Sequence, residues 1–147
     1  NARFIELAGD INSHMPNFCV YKIAQILNEY AKPIKGSNIM VLGVAYKPDI
    51  DDLRESPALD IINVCRAHGG TVDYHDPYVP CVQLPAGESL ESRELSKENL
   101  EKSDIIVIAT NHSSIDWKLV GEHANVIYDT RDAMRAYEPC RADIVRL

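Results

Sequence analysis

The densest run of chemically capable side chains lies between Ala45 and Ser56, in Ala45-Tyr-Lys-Pro-Asp-Ile-Asp-Asp-Leu-Arg-Glu-Ser56. It holds two cations, Lys47 and Arg54, four carboxylates (Asp49, Asp51, Asp52 and Glu55) and an aromatic ring, Tyr46. Such cations can take phosphate or carboxylate oxygens, a guanidinium in forked geometry and an ammonium as a point charge. The plainer reading is an acidic, solvated loop in which Lys47 and Arg54 pair with its own Asp residues. Asp129-Thr-Arg131 adds a third cation, and Thr110-Asn-His112 adds small polar groups. His112 reads as a capping or solvent-facing residue, and no catalytic role is assigned to it. The four cysteines, Cys19, Cys65, Cys81 and Cys140, form no C-x-x-C pair, and the five histidines lack metal-ligand spacing. Cys19 and Cys65 fall on apolar, helically spaced positions and read as buried thiols; Cys81 and Cys140 follow prolines and read as loop residues. No metal site is expected.

The elements that must position these groups follow from hydrophobic periodicity. Ile39–Val44 is a continuous apolar run, as for a strand covered on both faces. Ser56-Pro57 is a helix start, with a cap residue before a proline at the first helical position. Ala58, Ile61, Ile62 and Cys65 give that helix its buried face, and Gly69-Gly70 ends it. Thr71–His75 is a strand closed by Asp76-Pro77. A helix from about Ser96 to Lys102 leads to the strand Asp104–Ala109. A short helix over Asp116–Gly121 leads to the strand Asn125–Tyr128. Alternation of this kind predicts an α/β fold, a Rossmann-like parallel sheet with helices on both faces and right-handed crossovers. In such a sheet ligands bind outside the carboxyl ends of the strands, where the polar clusters named above fall. The Ala45–Ser56 segment is also long for such a connection, where about two to six residues are usual.

A long helical pattern precedes the sheet. Phe4, Leu7, Ala8, Ile11 and Met15 follow the spacing of one helical face, and Val20, Ile23, Ala24 and Leu27 carry it to about Tyr30. Pro16 should kink this helix or restart it. The pattern opens on the first residues with no leading coil or cap, which leads us to expect a piece of a longer protein. The expected division is 1–34 for the helical region and 35–147 for the sheet domain.

Composition bounds the function. The chain has 147 residues, 46% apolar and 25% charged, enough to bury a core. Lys plus Arg number 15 against 22 for Asp plus Glu, a formal net charge of -7, which argues against nucleic-acid binding. The apolar runs are far below the roughly 18 residues of a membrane helix. No signal peptide is visible and the thiols are unpaired by pattern, so a cytoplasmic setting is expected. The glycine fingerprint of a dinucleotide site is missing, because the first strand carries only Gly43 before Tyr46-Lys47. Asp76 stands where a ribose-binding acid would, a weak signal by itself. A self-contained NAD site is not expected here.

The segment Val41-Leu-Gly-Val-Ala-Tyr-Lys-Pro-Asp-Ile-Asp-Asp-Leu-Arg-Glu-Ser-Pro-Ala58 closely resembles the signature of the C-terminal domain of the UDP-glucose/GDP-mannose dehydrogenase family. The resemblance extends through Ile11-Asn12, Met15-Pro16, Tyr74-His-Asp-Pro-Tyr78, Thr110-Asn-His112 and Tyr128-Asp-Thr-Arg131, and is weakest between Val82 and Ser92. The opening Phe4–Asn12 looks most like the bacterial enzymes acting on UDP-N-acetylglucosamine or UDP-N-acetylmannosamine. The resemblance implies that this chain holds part of a central helical dimerisation region, followed by a UDP-sugar-binding domain. The N-terminal NAD-binding domain would lie elsewhere. It further implies four-electron oxidation of a sugar C6 alcohol to a carboxylate with two NAD, in the service of surface polysaccharide synthesis. The family's catalytic cysteine lies in a Gly-Gly-x-Cys motif before the long helix, and no such motif occurs here, so no catalytic residue is assigned. By motif, Tyr46 and Lys47 match an aromatic–Lys pair that contacts the UDP-sugar. Arg131 matches an Arg that contacts the same ligand, and Arg54 an Arg that reaches NAD held by the other domain. Asp129 would position the Arg131 loop. Implied partners are a UDP-sugar and a second copy of the chain, with no nucleic acid and no membrane.

Two other classes remain open on the residues alone. One is a stand-alone flavodoxin-like or response-regulator-like module, with Asp49, Asp51 and Asp52 as a divalent-cation site. The other is a purely structural dimerisation domain built on the long helix.

Overall fold

The computed structural model describes residues 2–147, with the side chains at positions 2, 4, 5 and 8–13 outside that description. The opening helix α1 spans Ala2–Glu29 as one long α-helix with Pro16 inside it, so of the two outcomes expected at Pro16 the restart does not occur. An interior proline costs about 3 kcal/mol. Beyond it, the buried stripe Cys19, Val20, Ile23, Ile26 and Leu27 supplies the compensating packing. Of the expected first stripe, Met15 packs against the core and Leu7 is exposed. Phe4, Ala8 and Ile11 lie outside the described side chains.

Strand β1 (Asn38–Leu42) starts the sheet domain and is followed by α2 (Pro57–Ala67) and β2 (Thr71–His75). The Ser56 hydroxyl accepts from the Ala58 N–H at 3.3 Å with Pro57 at the first helical position, as the start signal predicted. Gly69, at φ +88°, turns the chain out of α2. The segment of weakest resemblance folds into a hairpin, β3 (Cys81–Gln83) against β4 (Ser89–Glu91). Helix α3 (Lys97–Lys102), capped by Ser96, leads to β5 (Ile105–Ile108). Helix α4 (Trp117–His123), capped by Asp116, leads to β6 (Val126–Asp129). A 3-10 turn at Arg135–Tyr137 and a last strand, β7 (Asp143–Arg146), complete the chain.

The five-stranded sheet has the order β2-β1-β5-β6-β7 with every pairing parallel. Strand alternation divides its core in two. Ile39 and Val41 of β1, Ile105 and Val107 of β5, and Val126 and Tyr128 of β6 face α1 and α2. Met40, Leu42, Ile106, Ile108 and Ile127 face the other side, under Leu100, Trp117 and Val120. Both faces are thus covered, which is why β1 and β5 read as unbroken apolar runs. Strand β7 and the hairpin escaped the sequence reading. Strand β7 is a four-residue edge strand with only two apolar residues, Ile144 and Val145, both half-buried, and each hairpin strand is only three residues long.

Candidate functional site

Parallel strands bring the ends of β1, β2, β5 and β6 to one edge. The chain runs outward from β1 to β2, then crosses back to β5 on the other side of β1. The crevice between β1 and β5 is therefore the switch point at which ligands bind in this class of sheet. The loop 43–55 rises on one side of it and the turn 109–116 on the other.

The two loops are fastened to each other through buried polar groups. Thr110 Oγ1 donates to the Ala45 carbonyl at 2.5 Å, and the Val44 N–H donates to Asp76 Oδ2 at 2.8 Å. The Asp49 N–H donates to His112 Nδ1 at 2.8 Å, while His112 Nε2 lies 2.8 Å from the same Asp76 Oδ2. Because Nδ1 accepts, the ring nitrogen facing Asp76 is the donor. Asp49 takes up its left-handed φ of +65° here, and its carboxylate accepts from the Ser113 N–H and hydroxyl, both at 2.7 Å. Those Ser113 bonds hold the Asp49 carboxyl below the usual range against the opposing effect of burial.

His112 is thus a completely buried residue, contrary to the expectation of a capping or solvent-facing one. The Trp117 indole donates to the His112 carbonyl at 3.1 Å and the Tyr78 ring lies 4.8 Å from the imidazole, so the turn folds inward. Asp76 is also buried. Its oxygens are taken by Val44, His112 and Tyr78, so it serves the loop and does not stand as a ribose acceptor. Cys81 is exposed on β3 and Cys140 half-buried, while Cys19 and Cys65 are buried as expected.

The predicted cations all reach this edge, by different supports. Lys47 is exposed and stands over the exposed Tyr46 ring, 5.8 Å from its centroid, with no carboxylate partner among the described residues. Arg54 is forked onto Asp52 of its own loop at 3.0 and 2.9 Å, and this pairing pulls the Asp52 carboxyl down to about 2. Arg131 extends from the end of β6 over the end of β5, its Nε donating to the Ala109 carbonyl at 2.9 Å. Asp129 organises that loop: its carboxylate accepts from the backbone N–H groups of Arg131, Ala133 and Met134. Lys47 follows β1 and Arg131 follows β6, the two strands that neighbour β5. With Asp49 given to Ser113 and Asp52 to Arg54, the acidic loop does not present the convergent carboxylates of a divalent-cation site. Metal-binding groups of three or more His, Cys, Asp or Glu are absent among the described residues. A cavity of about 860 Å³ lies at the opposite, amino edge of the sheet, between α1, the 31–35 connection and the end of α2.

Comparison with known proteins matches residues 40–136 to the UDP binding domain of the UDP-glucose/GDP-mannose dehydrogenase family, a stretch that runs from β1 through the Arg131 loop. The chain belongs to that family. It is 36% identical over 117 residues to the UDP-N-acetyl-D-mannosamine dehydrogenase of Campylobacter jejuni, covering 76% of this chain and 27% of that protein. It is 31% identical over 153 residues to the UDP-glucose 6-dehydrogenase of Rickettsia bellii, covering 94% and 33%. Among solved structures, the UDP-D-ManNAc dehydrogenase of Pyrococcus horikoshii superimposes with a TM-score of 0.76 at 30% identity over 97% of this chain and 32% of that one. The chain therefore spans about a quarter to a third of the curated relatives it matches.

Within the family frame the fit to a dinucleotide can be tested on the β1 end. Gly43, at φ +81°, is packed against Thr110: a Cβ there would stand 2.4 Å from the Thr110 carbonyl oxygen. This glycine lets two loops of the chain approach each other, and the first N–H groups after β1 are spent inside the chain, Gly43 on the His75 carbonyl and Val44 on Asp76, where a dinucleotide turn would aim them at a pyrophosphate. The residues after β1 do not fit a self-contained NAD site. What the edge offers instead is an ammonium, an aromatic wall and a guanidinium on either side of the switch point.

Proposed function

We propose that this chain is the UDP-sugar-binding C-terminal portion of an NAD-dependent UDP-sugar 6-dehydrogenase, acting on a UDP-N-acetylhexosamine. The observation that carries the reading is that the UDP-binding family match spans both cation-bearing loops of the switch-point crevice. Lys47 contributes its ammonium to diphosphate or sugar oxygens, Tyr46 walls the pocket, and Arg131 offers a second cation from the β6 side. Binding and orientation are this chain's part. The oxidation of the C6 alcohol to a carboxylate belongs to groups outside it, since no Gly-Gly-x-Cys motif is present. Arg54, mostly exposed at the loop's outer end, would reach NAD held by another domain. The relatives named as UDP-N-acetyl-D-mannosamine dehydrogenases support an N-acetylated sugar.

Residues 1–34 are assigned to a central helical region and 35–147 to the UDP-sugar domain. Exposed Leu7, Phe18 and Tyr21 on α1 support pairing of that helix with a second copy, and the implied setting is a cytoplasmic pathway of surface polysaccharide synthesis.

Calorimetry with UDP tests the site. A charge-assisted contact is worth roughly 1.5–3 kcal/mol, so Lys47→Ala and Arg131→Ala should each weaken UDP binding about tenfold or more. Arg54→Ala should leave it nearly unchanged. Equal losses at Arg54 and Lys47 would mean that the loop is assigned wrongly.

A further inference from the structure

The span from Val44 to Asp49 is an arch with both feet on one buried pair. Its first foot, the Val44 N–H, rests on Asp76 Oδ2. The second foot, the Asp49 N–H, rests on His112 Nδ1, and His112 Nε2 returns to that same Asp76 oxygen. Between the feet stand only Ala45, Tyr46, Lys47 and Pro48. Thr110 holds the Ala45 carbonyl and Asp52 the Tyr46 N–H, so the span free of backbone fastening narrows to Lys47 and Pro48. Neither His112 nor Asp76 is exposed, and neither reaches the crevice.

We infer that His112 and Asp76 are positioning residues for the proposed UDP-sugar contact at Lys47, a role that rests on the reading of Lys47 given above. The pair closes the arch like a clasp. The Asp76 carboxylate orients the imidazole by accepting from Nε2, which leaves Nδ1 bare to receive the Asp49 N–H. An exposed lysine is a long, flexible chain with substantial rotamer freedom. Fixing the backbone beneath it confines where its ammonium can stand, and a donor held at its target loses less entropy on binding. Asp49 adds to the fixation through Ser113, and Asp49 adopts a backbone conformation that non-glycine residues seldom take. That conformation is sustained by its three bonds to the 112–113 turn.

A double-mutant cycle read by UDP binding separates positioning from mere structure. In the intact protein, His112→Phe keeps the ring volume and removes both nitrogen functions, while His112→Gln keeps one acceptor and one donor. His112→Phe should weaken UDP binding about fivefold to tenfold, with much of the loss recovered in His112→Gln. In a Lys47→Ala background His112→Phe should cost nothing further in UDP affinity, although it still lowers the melting temperature. If the loss in affinity is the same in both backgrounds, His112 does not act through Lys47 and the inference fails, with the Lys47 reading intact. If Lys47→Ala alone binds UDP like the wild type, the Lys47 reading itself fails and the inference falls with it. Should His112→Phe not fold, Asp76→Asn, which alters the same clasp with little change in shape, enters the same cycle under the same criteria.

Discussion

Gly43 and Thr110 meet more closely than any residue with a side chain at position 43 would allow. A Cβ on Gly43 would stand 2.4 Å from the Thr110 carbonyl oxygen and 2.6 Å from the Thr110 Cβ, at a φ of +81°. The left-handed backbone costs a non-glycine residue roughly 1–2 kcal/mol and overpacking about 1–3 kcal/mol. Gly43→Ala should therefore destabilise the fold by about 2–5 kcal/mol in urea unfolding, and it should also loosen the crevice. A variant as stable as the wild type would show that the two loops can part without cost.

The alkaline limb of stability carries a definite sign. Burial, with a smaller contribution from nearby Cys19, pushes the Cys65 thiol up to about 12, and burial also raises the Tyr74 and Tyr128 hydroxyls. The folded chain thus keeps protons that the unfolded chain surrenders from about pH 9 upward. The contribution of these groups is whole below that pH and is lost as the pH rises toward 12. Melting temperature should fall steadily between about pH 9 and 11. A level profile over that range would contradict the assigned burial.

Thiol labelling reads the same burial more directly. In the native protein a small alkylating reagent should modify Cys81 quickly and Cys65 only on unfolding, since Cys81 is exposed and Cys65 fully buried. Equal rates at neutral pH would place Cys65 outside the core.

Helix α1 should drive association. Leu7, Phe18 and Tyr21 share one face, because 7 to 18 is about three helical turns and 18 to 21 a little under one. They are 57%, 48% and 62% exposed. Exposed apolar stripes of this kind mark interaction sites. Light scattering should show dimers that dissociate in a Phe18→Glu, Tyr21→Glu double variant; a concentration-independent monomer in the wild type would refute it.

Isolated as these 147 residues, the chain should not oxidise a UDP-sugar with NAD. Neither a glycine-rich dinucleotide turn nor a Gly-Gly-x-Cys motif is present. Steady production of NADH by this chain alone would overturn the division of labour proposed for it.

What the sequence by itself determined is the part governed by local periodicity and by motif. The apolar runs of β1 and β5, the Ser56-Pro57 start of α2 and the starts of α3 near Ser96 and α4 near Asp116 are set by residues within a few positions of one another. A buried parallel strand must read as unbroken apolar chain and a helix must cap its first N–H groups, so these elements were legible. The edge on which Lys47, Arg54 and Arg131 gather was legible too, because alternating strands and helices leave the strands parallel with their carboxyl ends together. Whether α1 runs on through Pro16 or restarts there was not, since the decision lay with distant side chains packed on Cys19, Ile23 and Leu27. His112 was misread for the same reason. Its two partners, Asp49 and Asp76, are 63 and 36 residues away in sequence, and only the β2-β1-β5 order sets them around one imidazole. A polar residue after a strand is ordinarily solvated. Here the neighbouring loops close over it, and burial without loss is possible because both ring nitrogens find partners.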